Sequence, residues 1–160
     1  LVACLKPQHA EFVQSHLQGR NLPIEVHHGK TPEIIQLAHS CMSVSGSVSL
    51  ELLYRGKPTI MLYRVTPFQM LLMRLLRQAK YITLVNMLAD RVLFPEYVAT
   101  HCLGETLAGH VLHWLQDRPA YEELCGQLAA LRDRVVWPGA CARAAAAISE
   151  VAGGGCERAA

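Results

Sequence analysis

The sequence contains no pair of cysteines close enough to share a metal. Its six cysteines, Cys4, Cys41, Cys102, Cys125, Cys141 and Cys156, are widely scattered with no C-x-x-C pair. A structural zinc site needs close ligand pairs, and a disulfide framework belongs to small secreted chains. Reduced structural thiols are therefore expected, with Cys4 and Cys41 acting as small hydrophobes in apolar runs. No apolar run reaches the ~18 residues of a membrane-spanning helix. The amino terminus lacks the n-region, h-region and cleavage pattern of a secretory signal, so a cytoplasmic protein is expected. Strong charge is missing too. A net charge of +2 is too weak to imply a nucleic-acid partner. No internal repeat is present.

What the chain does have is enough apolar residue for a core. Of 160 residues, 51% are hydrophobic and 18% charged, as in a folded domain and unlike a disordered one. The chain opens on Leu1 in what reads as a strand, which suggests a fragment. Leu1–Leu5, Ile24–Gly29, Cys41–Val44 and Thr59–Tyr63 are short apolar strands. Between them lie helical patterns: Phe12, Val13 and Leu17 at helical spacing, then Thr31-Pro32-Glu33 as a helix start with Thr31 as cap. A third helix runs from about Val48 to Arg55 and is stopped by Gly56 and Pro58. Strands alternating with helices imply β-α-β units, hence an α/β fold with a parallel sheet covered on both faces. After Pro67 the pattern is more helical: Phe68 to Ala79, two helices marked by Leu112, Leu115, Leu124, Leu128, Leu131 and Val135, and a final Ala-rich helix.

The segment "SVSGSVSLELLYRGKPTIMLY", Ser43 to Tyr63, carries the functional signal. In an open parallel sheet, ligands bind beyond the carboxyl ends of strands. There the strand ending at Val44 gives way to Ser45, Gly46 and Ser47, and then to a helix. Gly46 permits close approach of a ligand to the backbone. Free amides at a helix start favour phosphate, and Glu51, about a turn on, can accept from both hydroxyls of a ribose. Phosphate plus ribose is a nucleotide. The same spacing also fits an ordinary strand-to-helix turn with a solvated Glu51.

The wording of these motifs resembles lipid-A-disaccharide synthase, a bacterial GT-B glycosyltransferase family. "SGSVSLE" is similar to its S-G-T-x-T-L-E segment, Gly56-Lys57-Pro58 to its G-x-P, and "YRVTPF" to its Y-[RK]-V-S-P turn. "KYITLVNMLADRVLFPEY", Lys80 to Tyr97, is similar to its Y-I-S-L-P-N-L-L-A-G-R…P-E segment. The resemblance implies the C-terminal, Rossmann-like half of a GT-B fold, with residues 1–152 as UDP-sugar donor domain and 153–160 as a tail. It implies Ser45, Gly46 and Ser47 near the diphosphate, Glu51 near the ribose and Asn86 at the donor site. A lipid-bearing acceptor is implied as second substrate. The catalytic carboxylate and acceptor-side domain would lie upstream, and no metal or other cofactor is expected. Val85, Asp90 and Ala99 depart from the family's Pro, Gly and Gln. Those departures leave open another UDP-sugar transferase or epimerase, or a noncatalytic module.

Arg64 follows the fourth strand, where its guanidinium would suit a phosphate. His110 and His113, three apart, lack a third metal ligand. His27-His28 reads as a loop pair. In the Phe68 to Ala79 helix, Arg74, Arg77 and Lys80 form a basic stripe beside Leu71, Leu72, Leu75 and Leu76. That pattern suits an anionic membrane surface, peripherally on the inner membrane, or burial against a partner domain.

Overall fold

The computed structural model describes residues 1–44, 46–76, 80–137 and 139–154; at 74, 76, 153 and 154 only the backbone is described. The amino-terminal elements are β1 (Val2–Cys4), α1 (Pro7–Leu17), β2 (Val26–His28) and α2 (Thr31–Leu37). They are followed by β3 (Cys41–Ser43), α3 (Val48–Tyr54), β4 (Thr59–Arg64) and α4 (Pro67–Leu76). The remainder comprises α5 (Leu84–Ala89), β5 (Glu96–Ala99), α6 (Gly104–Gln116), α7 (Arg118–Val135) and α8 (Ala140–Gly154).

All described strand pairing is parallel, as β-α-β alternation demands. The pairs fall into two sheets: β1 beside β2, and β3-β4-β5 in that order. The alternation alone predicts one continuous sheet and does not reveal this division. The larger sheet aligns Ser43 with Met61, and Arg64 with Ala99, so its strands end along one edge.

The core lies where α3, α5 and α7 cover this sheet. Leu52, Leu53, Met61, Val85, Phe94 and Leu128 are its most buried members. On α7 the predicted stripe is the one observed: Leu128 and Leu131 are buried, with Leu124 and Val135 packed beside them. On α6 it is not. Leu112 and Leu115 are exposed, and Trp114 is the buried residue. A single large ring filled the interface, and the two leucines on either side of it face out.

Thr31 does not cap α2. The cap is Lys30, without a side-chain bond, and Thr31 already lies in the first turn. At the other end of α2 the chain is tied down more firmly. Lys57 Nζ donates to the carbonyls of Gln36 (3.0 Å) and Ala38 (2.8 Å). This explains the Gly56-Lys57-Pro58 stop. Gly56 takes φ +61°, which favours glycine, and the following lysine satisfies carbonyls left open by α2.

Two elements that begin inside Lys80–Tyr97 escape the periodicity: α5 and β5 have six and four residues. Both are too short for a repeat to declare itself.

Candidate functional site

The turn between β3 and α3 sits at the carboxyl edge of the larger sheet. Gly46 has φ +143°, a region that disfavours side chains. A Cβ there would meet nothing within 4 Å, so the backbone faces open space. Ser47 is the N-cap of α3 but makes no side-chain cap bond. The turn is instead fixed by a residue that motif reading passed over. Ser49, buried in the first turn, donates through Oγ to the Gly46 carbonyl at 2.9 Å, and its amide donates to the same oxygen at 3.2 Å. Both serines are small and polar, and only burial distinguishes the one that braces the turn from the one exposed on it. Ser45 lies outside the described residues.

Glu51 stands one turn into α3. Its Oε1 accepts from Arg55 Nε, and Arg55 Nη2 lies at 3.1 Å from the same oxygen. Arg55 also donates to Gln36 Oε1 at 2.9 Å. The carboxylate is therefore oriented by a cation four residues on. Arg64 ends β4 on the same edge and is exposed.

Asn86 is placed differently from these. It is fully buried, and its amide is occupied by the chain itself. Nδ2 donates to the Phe94 carbonyl (2.7 Å) and to Glu96 Oε1 (2.9 Å). Its Oδ1 accepts from the amides of Leu93 (2.8 Å) and Phe94 (2.9 Å). Glu96, at the start of β5, also accepts from the amides of Ile82 and Thr83 and from Thr83 Oγ1. The buried Asn and the half-buried Glu of this motif thus form one polar junction. Sequence reading singled out Asn86 and missed Glu96 as its partner.

One of the departures from the family pattern, Asp90, has a local explanation. Asp90 is the C-cap of α5 in the left-handed conformation, φ 49° and ψ 27°. Gly suits that position best, and Asp is among the few residues that tolerate it. Its side chain is 87% exposed and pairs with Lys80 at 3.5 Å, so its charge is shared at the surface. Val85 lies fully buried in the core and Ala99 is buried at the end of β5.

His110 is paired with Tyr97, His27 with Glu25. Among the described residues, no group of three or more His, Cys, Asp and Glu could hold a metal. In α4, Phe68, Leu71, Leu72 and Leu75 are exposed. Of the basic stripe, Lys80 pairs with Asp90 and lies 4.8 Å from the Tyr81 ring centroid. Arg77 and the Arg74 side chain lie outside the described residues. No helix among the described residues is long and apolar enough to cross a membrane.

Parallel strands, β-α-β alternation and an open glycine turn at the carboxyl edge define a Rossmann-like α/β unit followed by helices. Comparison with known proteins narrows that class. A family model described as lipid-A-disaccharide synthetase matches residues 1–131, and the chain belongs to that family. Its relatives include the lipid-A-disaccharide synthase of Pseudomonas syringae pv. tomato, 31% identical over 123 residues, covering 77% of this chain and 32% of the relative. The lipid-A-disaccharide synthase of Solibacter usitatus is 31% identical over 132 residues, covering 82% and 35%. That of Pseudomonas fluorescens strain SBW25 is 30% identical over 112 residues, covering 70% and 30%. The chain therefore spans about a third of the length of these relatives.

Proposed function

We propose that residues 1–152 are the donor-binding domain of a GT-B glycosyltransferase, with 153–160 as its tail. The whole protein would transfer a diacylated glucosamine from its UDP form to the 6-hydroxyl of diacylglucosamine 1-phosphate, releasing UDP. Family membership supports the reaction class. The observation that carries the donor role is the open Gly46 turn, with Ser47 and Glu51 behind it, at the carboxyl edge of a parallel sheet.

In this reading the amides around Ser45, Gly46 and Ser47 receive the diphosphate, Arg64 adds positive charge, and Glu51 accepts from the ribose. Asn86 acts by positioning, since its amide braces the segment through Leu93, Phe94 and Glu96. The catalytic carboxylate and the acceptor-side domain belong to the remainder of the protein. Catalysis requires the acceptor to be held against the donor, so residues 1–160 alone have no transferase activity. The exposed apolar face of α4 contacts an anionic membrane surface, which gives a cytoplasmic enzyme placed peripherally at its lipid substrates.

Calorimetry of UDP binding to the full-length protein tests the site. Glu51→Ala weakens binding by roughly 1–3 kcal/mol, the loss of a charge-assisted hydrogen bond. Unchanged affinity removes Glu51 from the ribose. An assay of residues 1–160 with both lipid substrates tests the division of labour, and turnover above blank refutes it.

A further inference from the structure

A cleft lined by two arginines lies away from the turn. It has a volume of about 360 Å³ and is lined by Ala89 and Arg91 after α5 and by Gln127, Ala130, Leu131 and Arg134 of α7. Arg91 precedes the Leu93–Pro95 stretch that feeds the first residue of β5, so the cleft opens on the amino side of the strands. Gly46, Ser47 and Arg64 sit at the opposite, carboxyl edge.

Neither Arg91 nor Arg134 has an ion-pair partner among the described residues, while the Glu123 carboxylate adjoins the lining residue Gln127. Asp90 pairs with Lys80 and Asp133 with Arg132. Gln127 is held by Glu123 through Nε2. Arg91 is exposed and has no ion-pair or hydrogen-bond partner among the described residues. Arg134 donates one Nη2 hydrogen to the Leu88 carbonyl. That bond tethers the guanidinium to the end of α5 and leaves its other donors without a partner among the described residues. A guanidinium already held in place loses less entropy on gaining a ligand. Ala89, Ala130 and Leu131 complete the lining.

We propose that the Arg91–Arg134 cleft binds a phosphate monoester or diester whose substituent lies against Ala89 and Ala130. Two forked cations match phosphate oxygens, and the volume falls in the range of small-ligand sites. The phosphate comes either from a lipid headgroup or from a free phosphorylated molecule. The inference is independent of nucleotide binding at the Gly46 turn.

Two probes separate the sources: inorganic phosphate followed by calorimetry, and co-sedimentation with phosphatidylglycerol or phosphatidylcholine vesicles. Both use the full-length protein. The variants are Arg91→Gln, which removes an unpartnered charge, and Gln127→Glu, which adds an opposing one. Arg134 is left intact because it also holds Leu88. Each variant weakens phosphate binding roughly fivefold or more. Arg91→Gln leaves the melting temperature unchanged because Arg91 is exposed, whereas Gln127→Glu loses the bond to Glu123, sets two carboxylates four residues apart and melts somewhat lower. If phosphatidylglycerol retention falls in parallel, the source is a headgroup. If phosphate binding falls but vesicle retention does not, the source is a free phosphate. If both variants bind phosphate and phosphatidylglycerol like the parent, the site does not exist.

Discussion

Asn86 and Glu96 are joined by a 2.9 Å hydrogen bond from Nδ2 to Oε1, and between them they satisfy the backbone at both ends of a turn. Asn86 holds Leu93 and Phe94 in front of β5, and Glu96 holds Ile82 and Thr83 in front of α5. Each thus anchors the element that carries the other. Asn86→Leu leaves the amides of Leu93 and Phe94 and the Phe94 carbonyl without their buried partner. A loss of about 3–5 kcal/mol follows, the scale for breaking a buried network. Glu96→Gln keeps one acceptor oxygen but turns a donor toward one of the amides, at about 1–3 kcal/mol. Urea denaturation measures both, and equal small losses in the two variants would contradict a shared network.

Asp90 allows a test in the opposite direction. Its φ of 49° costs an L-residue about 1–2 kcal/mol, whereas glycine adopts it freely. Its pair with Lys80 is exposed on both sides and contributes little. Asp90→Gly is therefore neutral or stabilising by up to about 1 kcal/mol, and Asp90→Val destabilises by about 1–2 kcal/mol. Thermal melting of the two variants reads the order directly. If Val melts above Gly, the left-handed cap is not what sets residue preference there.

These two positions show where sequence reading succeeds and where it stops. The motif from Lys80 to Tyr97 marks Asn86 and Asp90 as special, but says nothing of why. In the structure Asn86 is a buried brace, and position 90 takes a left-handed backbone conformation that suits glycine. Polar residues in a motif suggest a ligand, because burial and internal partners are invisible in one dimension. The strand-turn-helix at Gly46 was legible, because glycine, spacing and the flanking apolar runs agree. Ser49 was not, since its role depends on pointing inward. The four longest-range features, the division into two sheets, β5, buried Trp114 and the Arg91–Arg134 cleft, arise from contacts that local pattern does not encode.

Tyr121 makes stability depend on alkaline pH. Its ring stacks on His39, with centroids 4.0 Å apart, and its hydroxyl donates to the His39 carbonyl at 2.9 Å. Burial, helped by Cys125 and Cys41, pushes its pKa up to about 12 from 10.0. A phenol raised in the folded state stays protonated where the unfolded chain already ionises. Its contribution is fully present below pH 10 and is lost as pH rises from 10 to about 12. Tyr121→Phe cannot ionise, so its melting temperature falls less than the parent's over that interval. Parallel curves for the two proteins would remove Tyr121 from the alkaline transition.

The cysteines divide by exposure. Cys102 and Cys141 are exposed, Cys4 is buried and Cys41 is half-buried. Burial raises the Cys41 thiol pKa, against a smaller lowering by Lys57. The thiolate is the reactive form, so Cys41 is slow for both access and ionisation. Timed iodoacetamide labelling with peptide mapping should modify Cys102 and Cys141 before Cys41 and Cys4. Early labelling of Cys41 would mean that the β3 edge opens readily.

The face of α4 gives the last prediction. Phe68, Leu71 and Leu75 are 73%, 56% and 74% exposed, and Arg74 lies among them in sequence. Lys80 already pairs with Asp90, so the apolar residues are the better handle on any membrane contact. An interfacial helix binds through buried apolar area plus attraction to anionic lipid. Replacing Phe68, Leu71 and Leu75 with Ser in the full-length protein removes the first term. Exposed positions outside special features change stability within about 0.5 kcal/mol each, so the variant stays folded. Co-sedimentation with phosphatidylglycerol vesicles should fall, and added salt should weaken the parent by screening the remaining charge. Arg91→Gln, carried in parallel, keeps this helix intact and separates its contribution from that of the cleft. If the triple variant sediments as the parent does and melts well below it, α4 packs against another part of the protein and carries no membrane contact.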